Sequence, residues 1–311
     1  MDTFLQQIAN GLILGSIYAL IALGYTMVYG ILGIINFAHG EVLMIGAMIA
    51  LMVMKLIALW APETPQEIVL VLSLTVAITC CAGLSFFIEK VAYRPLRHAP
   101  RLAPLISAIG MSILLQTIAM LIWGRNPLNF PQLLPNQAIN FLGDHVTISV
   151  KEVIIVLVSF VTMIGLLIIV HGTKFGRAIR ATAENAEVAG LMGVNTQRAI
   201  SLTFMLGGGL AALAGVMIAS NYGTAHFYMG FMPGLKAFTA AVLGGIGNLQ
   251  GAMLGGILLG LIESLGAGYI GELTGGVFGS NYQDIFSFLV LILVLIFKPS
   301  GLLGEKVSDR A

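Results

Sequence analysis

Charge is scarce in this 311-residue chain. Asp, Glu, Lys and Arg make up 9% of it, against about 25% in a soluble domain. That is under half of what a water-facing surface needs, and it argues against a cytosolic enzyme and a disordered protein. Cysteine is nearly absent: the two residues, Cys80 and Cys81, are adjacent in an apolar run. They cannot frame a disulfide scaffold and are too few for a zinc site. The net charge is only +1, so there is no electrostatic case for nucleic-acid binding. No basic residue precedes Lys55, so a positive leader region is missing. The first apolar run, Ile8 to Gly30, is also too long for the core of a cleaved signal. It is expected to remain as a first membrane helix.

What the chain has is apolar length. Hydrophobic residues make up 58% and the mean hydropathy is +0.97. At about 20 apolar residues per crossing, eight or nine helices use most of the chain and leave only short loops. The apolar windows fall at 9–30, 36–60, 68–88, 103–123, 151–171, 198–220, 235–247, 251–269 and 283–298. They are continuous and not alternating, which excludes a membrane β-barrel. The expected fold is an all-α polytopic membrane bundle of eight to ten helices forming one domain over 1–311. The seventh window is short and glycine-rich, and the stretch 30–41 is interrupted. Both predict broken helices, which survive at membrane depth only where protein or a cavity surrounds them.

Basic residues set the orientation. Lys90, Arg94, Arg97 and Arg101 lie between the third and fourth windows. Lys174, Arg177, Arg180 and Arg198 lie between the fifth and sixth, and Lys298, Lys306 and Arg310 follow the last. Those are 11 of 15 Lys and Arg residues, so these three segments are expected in the cytoplasm. The loop 124–150, with Pro127, Pro131 and Pro135, faces the other side, as does the N-terminus.

Within the apolar runs a few polar groups stand out. Asn36, His39 and Glu41 are close together in one. A charge at the membrane centre costs about 2.5–3.5 kcal/mol on insertion scales. These groups therefore shape a translocation path or gate, or else they cap the break between two helices, with Glu41 in the first turn of the second. Glu263 stands alone in the run Gly251–Tyr269, as a pathway contact or proton relay, or as a carboxylate bonded to a neighbouring helix. Gly244-Gly245-Ile-Gly247-Asn-Leu-Gln-Gly251 lacks the dinucleotide spacing and a βαβ setting, and reads as a helix break. Gly251/Gly255 and Gly256/Gly260 each make a G-x-x-x-G close-packing face, and Gly207-Gly208-Gly209 would loosen or closely pack the sixth span. His145 beside Asp144 makes only a weak metal pair.

The loop 172–197 contains TKFGRAIRATAENAEVAGLMGVNT over 173–196, too polar to span and too patterned for a linker. Ile179, Ala183, Ala186, Gly190 and Gly193 recur at helical spacing. They predict one helix with a single small-residue face, flanked by Arg177, Arg180, Glu184 and Glu187. Such a helix docks into a groove on a partner or lies on the membrane surface.

The segment Ala183-Glu-Asn-Ala-Glu-Val-Ala-Gly190 resembles the coupling loop of ABC-importer permeases, whose hallmark is E-A-A followed by Gly, in a looser version. Other segments are more specific: Tyr25-Thr-Met-Val-Tyr-Gly-Ile-Leu-Gly-Ile-Ile-Asn-Phe-Ala-His-Gly-Glu41, Ile88-Glu-Lys-Val-Ala-Tyr-Arg-Pro-Leu-Arg97, Leu105-Ile-Ser-Ala-Ile-Gly-Met-Ser112 and Ala237-Phe-Thr-Ala-Ala-Val-Leu-Gly-Gly-Ile-Gly247. Together with Lys298-Pro-Ser-Gly-Leu302 they resemble the LivH-type permease of the high-affinity branched-chain amino acid ABC importers. The resemblance implies a multi-pass inner-membrane subunit that is not itself an enzyme. Its implied partners are a second homologous permease, two cytoplasmic ATPase subunits and a periplasmic binding protein that delivers Leu, Ile or Val. Arg177, Arg180, Glu184, Glu187, Gly190 and Gly193 would then couple the chain to the ATPases. The chain would hold no cofactor: it has no G-x-x-x-x-G-K-[ST] phosphate loop, so ATP would bind the partner subunits.

Three alternatives stay open. A similar permease could carry urea or short amides. An ion-coupled secondary transporter would need intramembrane charge pairs, for which only Glu41, Lys55, Lys236, Glu263 and Asp284 qualify. A membrane enzyme would need a catalytic constellation, and none is recognisable.

Overall fold

In a medium without water, a helix satisfies its own backbone hydrogen bonds, and the apolar windows fold accordingly. A computed structural model describes residues 2–97, 99–100, 102–141, 146–275, 277–278 and 282–304. Arg101, Asp144, His145, Lys306 and Arg310 lie outside the described residues. The long helices are α1 (Asp2–Leu32), α2 (His39–Trp60), α3 (Gln66–Ile88), α4 (Leu102–Trp123), α5 (Val150–Gly172), α8 (Thr196–Tyr222) and α10 (Leu249–Leu273). These seven are long and apolar enough to cross a membrane. Two short helices, α6 (Lys174–Glu184) and α7 (Ala186–Leu191), fill the polar loop between α5 and α8.

Two further apolar helices are shorter than a crossing. α9 (Phe231–Gly244) has 14 residues and α11 (Gln283–Phe297) has 15. At 1.5 Å per residue each reaches about 21–23 Å, short of the ~30 Å hydrocarbon layer. The short helix expected from the seventh window is present as α9. The break expected in 30–41 is present too: α1 ends at Leu32, Gly33 turns with φ +65°, and α2 starts at His39.

Contacts divide the chain into two compact units. The first holds Met1–Thr26, Leu134–Ile164 and Leu235–Ala311, and the second Met27–Leu133 and Gly165–Gly234. In the first unit the two G-x-x-x-G faces of α10 meet different helices. Gly256 and Gly260 face α1, where a Cβ on either would come within 2.3 Å of the Ala19 or Gly15 backbone. Gly255 faces α9, where a Cβ would lie 2.1 Å from the Ala240 carbonyl. The expected break between α9 and α10 is made by Gly245 (φ +108°) and Gly247 (φ +98°). The segment after α11 folds onto this break. The Leu302 and Leu303 amides donate to the Leu243 and Gly244 carbonyls, which satisfies the C-terminal end of α9.

In the second unit α8 is the central helix, packed on α2 and α3. A Cβ on Gly208 would sit 2.5 Å from the Cys81 carbonyl, one on Gly215 would sit 2.1 Å from the Leu43 carbonyl, and one on Gly46 would meet Ala212. The Gly207–Gly209 run thus permits backbone contact between α8 and α3.

The loop 124–150 carries strand structure that the all-α reading does not contain. In the first unit, strands β2 (Ala138–Phe141) and β3 (Val146–Ser149) form an antiparallel pair with Ile139 opposite Ile148. In the second unit, β1 (Leu128–Asn129) pairs with β4 (Thr224–Ala225). Pairing gives these non-helical backbone groups partners outside the helices.

Candidate functional site

Inside the first unit an ionic network joins four helices. Glu263 on α10 is 1% exposed. Its Oε1 accepts from Lys236 Nζ of α9 at 2.5 Å and from the Tyr18 hydroxyl of α1 at 3.2 Å. Its Oε2 accepts from Ser287 Oγ of α11 at 2.9 Å. Lys236 also reaches Asp284 Oδ1 of α11 at 2.6 Å. Glu263 is alone in its run but not in space. Removing an ion from water costs several kcal/mol, and a close counter-ion with hydrogen bonds to the remaining lone pairs offsets that cost. Sequence reasoning noted Lys236 and Asp284 as intramembrane charges without joining them to Glu263. It missed Tyr18 and Ser287. The available signal was opposite charges in separate apolar helices.

In the second unit, Asn36, His39 and Glu41 are all buried. Asn36 Oδ1 accepts from the Tyr93 hydroxyl at 2.8 Å. Glu41 lies in the first turn of α2, and its Oε1 accepts from Gln116 Nε2 of α4 at 2.7 Å and from Ser112 Oγ at 3.3 Å. Glu41 Oε2 has no hydrogen-bond partner among the described residues. The backbone holds the group together: the His39 amide donates to the Asn36 carbonyl at 3.0 Å. Ala38 occupies the N-cap of α2, with no side-chain cap, so the Asn36 side chain serves Tyr93 and not the helix end. The helix start is pinned from outside, since a Cβ on Gly40 would lie 2.6 Å from the Gly230 carbonyl. One buried carboxylate oxygen left unpaired is able to accept from a passing ammonium or amide group.

A third cluster closes the end of α3. A π-turn over Glu89–Tyr93 and a 3-10 turn over Arg94–Leu96 continue that helix. Glu89 is fully buried and accepts from Arg94 at 2.9 Å, from Arg97 and from Ser201 Oγ at 2.9 Å. This ties the end of α3 to the start of α8. The two basic segments 90–97 and 174–198 therefore lie at the same end of this unit.

The 172–197 segment differs from the single helix expected. It breaks at Asn185, whose extended backbone ends α6 and whose Oδ1 accepts from the Glu187 and Val188 amides, both at 3.0 Å. Asn prefers this N-cap role to a helix interior, because its short amide competes for the backbone. Gly193 (φ +86°) then ends α7, with its amide on the Gly190 carbonyl and that of Val194 on Ala189, a Schellman closure. The break removes the expected single face. Ile179 is buried with Gly176 and Thr182, whereas Ala183, Ala186, Gly190 and Gly193 are exposed. Arg177, Arg180, Glu184 and Glu187 are exposed as well, and the Arg180 guanidinium donates to the Val170 carbonyl. Leu191 and Met192 are 83% and 80% exposed, which leaves a small apolar tip on a charged loop. The sequence reading did not single out these two residues. Their signal was two large apolar side chains beside the helix-ending Gly193.

The chain matches, over residues 7–295, the family model described as branched-chain amino acid transport system, permease component. It belongs to this family. Several relatives cover it almost completely. It is 47% identical, over 99% of the chain and 98% of the relative, to the high-affinity branched-chain amino acid transport system permease protein BraD of Pseudomonas aeruginosa. It is 45% identical, over 99% and 97%, to LivH of the same description from Escherichia coli strain K12. The probable LivH of Methanocaldococcus jannaschii is 26% identical over 95% of the chain and 91% of its own length. No solved structure matches this permease. With its membrane-long apolar helices, it is a multi-pass inner-membrane protein.

Proposed function

We propose that this permease forms part of the translocation path of an ATP-driven importer that receives Leu, Ile or Val from a periplasmic binding protein. The observation that carries this reading is the near-complete overlap, at 45–47% identity, with permeases named for branched-chain amino acid transport. The proposed complex holds this chain, a second homologous permease and two cytoplasmic ATPase subunits that bind the ATP. Arg177, Arg180, Glu184, Glu187, Gly190 and Gly193 form the ATPase-facing loop. The exposed tip at Leu191 and Met192 supports that role, because a small apolar knob with charged flanks fits a groove on a partner. Asn36, His39 and Glu41 belong to the path or its gate, and Glu263 stands with them as a path candidate. The open oxygen of Glu41 supports this, since an amino acid carries an ammonium group. Alanine at Asn36 and His39 that leaves transport intact at normal expression rejects the gate.

The test is uptake of labelled leucine into vesicles holding this chain, the partner permease and the ATPases. Binding protein and ATP are then omitted in turn. Uptake that needs both supports the importer. Ligand-stimulated ATP hydrolysis without leucine uptake retains the architecture and points to urea or a short amide as cargo.

One observation favours a second reading. Lys236, Glu263 and Asp284 form an ion network within apolar helices, as ion-coupled carriers require. Uptake by this chain alone under a pH gradient supports that reading, and normal transport by Glu263→Gln across pH eliminates a proton role.

A further inference from the structure

Where α3 ends and α8 begins, a groove of about 380 Å³ opens on the second unit. Arg94 and Arg198 line it together with Ser201, Phe86, Leu202 and Met205. Its two ends differ in chemistry. At the basic end, Arg94 is engaged with Glu89 and Ser201. The Arg198 guanidinium has no carboxylate partner among the described residues. Glu89 carries one negative charge against the three positive charges of Arg94, Arg97 and Arg198, so the cluster has an excess of two. At the other end, Phe86 and Leu202 are exposed apolar side chains on helices long enough to cross the bilayer. Phe86 continues a face of α3 on which Ile68 and Leu72 are also exposed. A site that is cationic at the membrane surface and apolar below it suits an anionic head group with attached chains. Basic pockets between membrane helices bind such lipids.

We infer that this groove holds an anionic phospholipid, its phosphate between Arg94 and Arg198 and an acyl chain along Phe86, Leu202 and Met205. A lipid there bridges the end of α3 to the start of α8, the helix onto which the coupling loop runs. The inference does not depend on what the permease carries.

The experiment places a reporter in the groove. Trp60 and Trp123 are the chain's only tryptophans. In a Trp60→Phe, Trp123→Phe background, Phe86→Trp puts a single fluorophore at the site. The purified full chain is reconstituted in phosphatidylcholine bilayers containing brominated phosphatidylglycerol or brominated phosphatidylcholine. Quenching of that fluorophore then gives the relative affinity of the two lipids for the groove. Several-fold preference for the anionic lipid supports the inference, and a ratio near one overturns it. Arg198→Gln is expected to lower the preference about 5-fold, since one Arg near an anionic surface is worth about that factor. Arg198→Lys is expected to retain it, and so is Lys174→Gln, a change at an exposed basic residue outside the groove. An equal fall in Arg198→Gln and Lys174→Gln overturns the site. So does an undiminished lipid preference in Arg198→Gln accompanied by weaker ATPase binding, which assigns the groove to protein.

Discussion

Replacing Lys236 with Met removes two ion pairs, at 2.5 and 2.6 Å, in one step. Glu263, 1% exposed, then keeps the Tyr18 and Ser287 hydroxyls as its partners among the described residues. Breaking a buried pair by removing one partner costs about 3–5 kcal/mol, because it leaves a buried charge uncompensated. Asp284 adds little, since its side chain is 37% exposed and water solvates it. Glu263→Gln is milder. Lys236 retains Asp284, the new amide oxygen still accepts a hydrogen bond, and the loss is about 1–3 kcal/mol. Replacing both residues with Met removes both desolvation costs and is expected to fall within about 1 kcal/mol of the parent. Equilibrium unfolding in mixed micelles, followed by helical circular dichroism, reads the full cycle of Lys236→Met, Glu263→Met and the double variant. A coupling of at least about 2 kcal/mol is expected. Simple additivity, or a Lys236→Met variant as stable as the parent, refutes the reasoning. Uptake on the same variants separates two roles: transport that returns with stability in the double variant makes the network a fastener, and transport lost despite restored stability places it in the path.

Other perturbations test the packing and the loop. Gly256→Ala drives a Cβ to 2.3 Å from the Ala19 backbone and is expected to destabilise by about 1–3 kcal/mol. Gly165→Ala meets no atom within 4 Å and should be neutral or gain up to about 1 kcal/mol from helix propensity; the same unfolding assay ranks them, and a reversed order is incompatible with this packing. Asn185→Ala removes the cap of α7 at about 1 kcal/mol. It should lower uptake at unchanged membrane abundance, while Asn185→Asp keeps the acceptor and restores uptake. His226, in the loop between α8 and α9, is partly buried, and burial lowers its pKa from the ordinary 6.5. The folded loop thus binds this proton less readily than the unfolded chain, so stability present above pH 6.5 is lost as pH falls; an imidazole NMR midpoint at or above 6.5 contradicts this.

The apolar runs alone determined the membrane-length helices, because a chain in lipid has few ways to satisfy its backbone. Their lengths announced the short α9, and glycine punctuation announced the breaks at Gly33 and at Gly245–Gly247. Charge scarcity excluded a water-facing fold, and the segments resembling LivH-type permeases indicated the family. Only the tertiary structure decided the pairings. Gly256 and Gly260 face α1 while Gly255 faces α9, which a G-x-x-x-G pattern does not specify, since every such face is locally alike. Lys236, Glu263 and Asp284 lie in three different helices, so their ion pairs depend on how those helices rotate and pack. The loop 172–197 broke at Asn185 because a local cap outweighed a periodic pattern. Spacing describes a face only while the helix continues, and backbone hydrogen bonding decides where it stops.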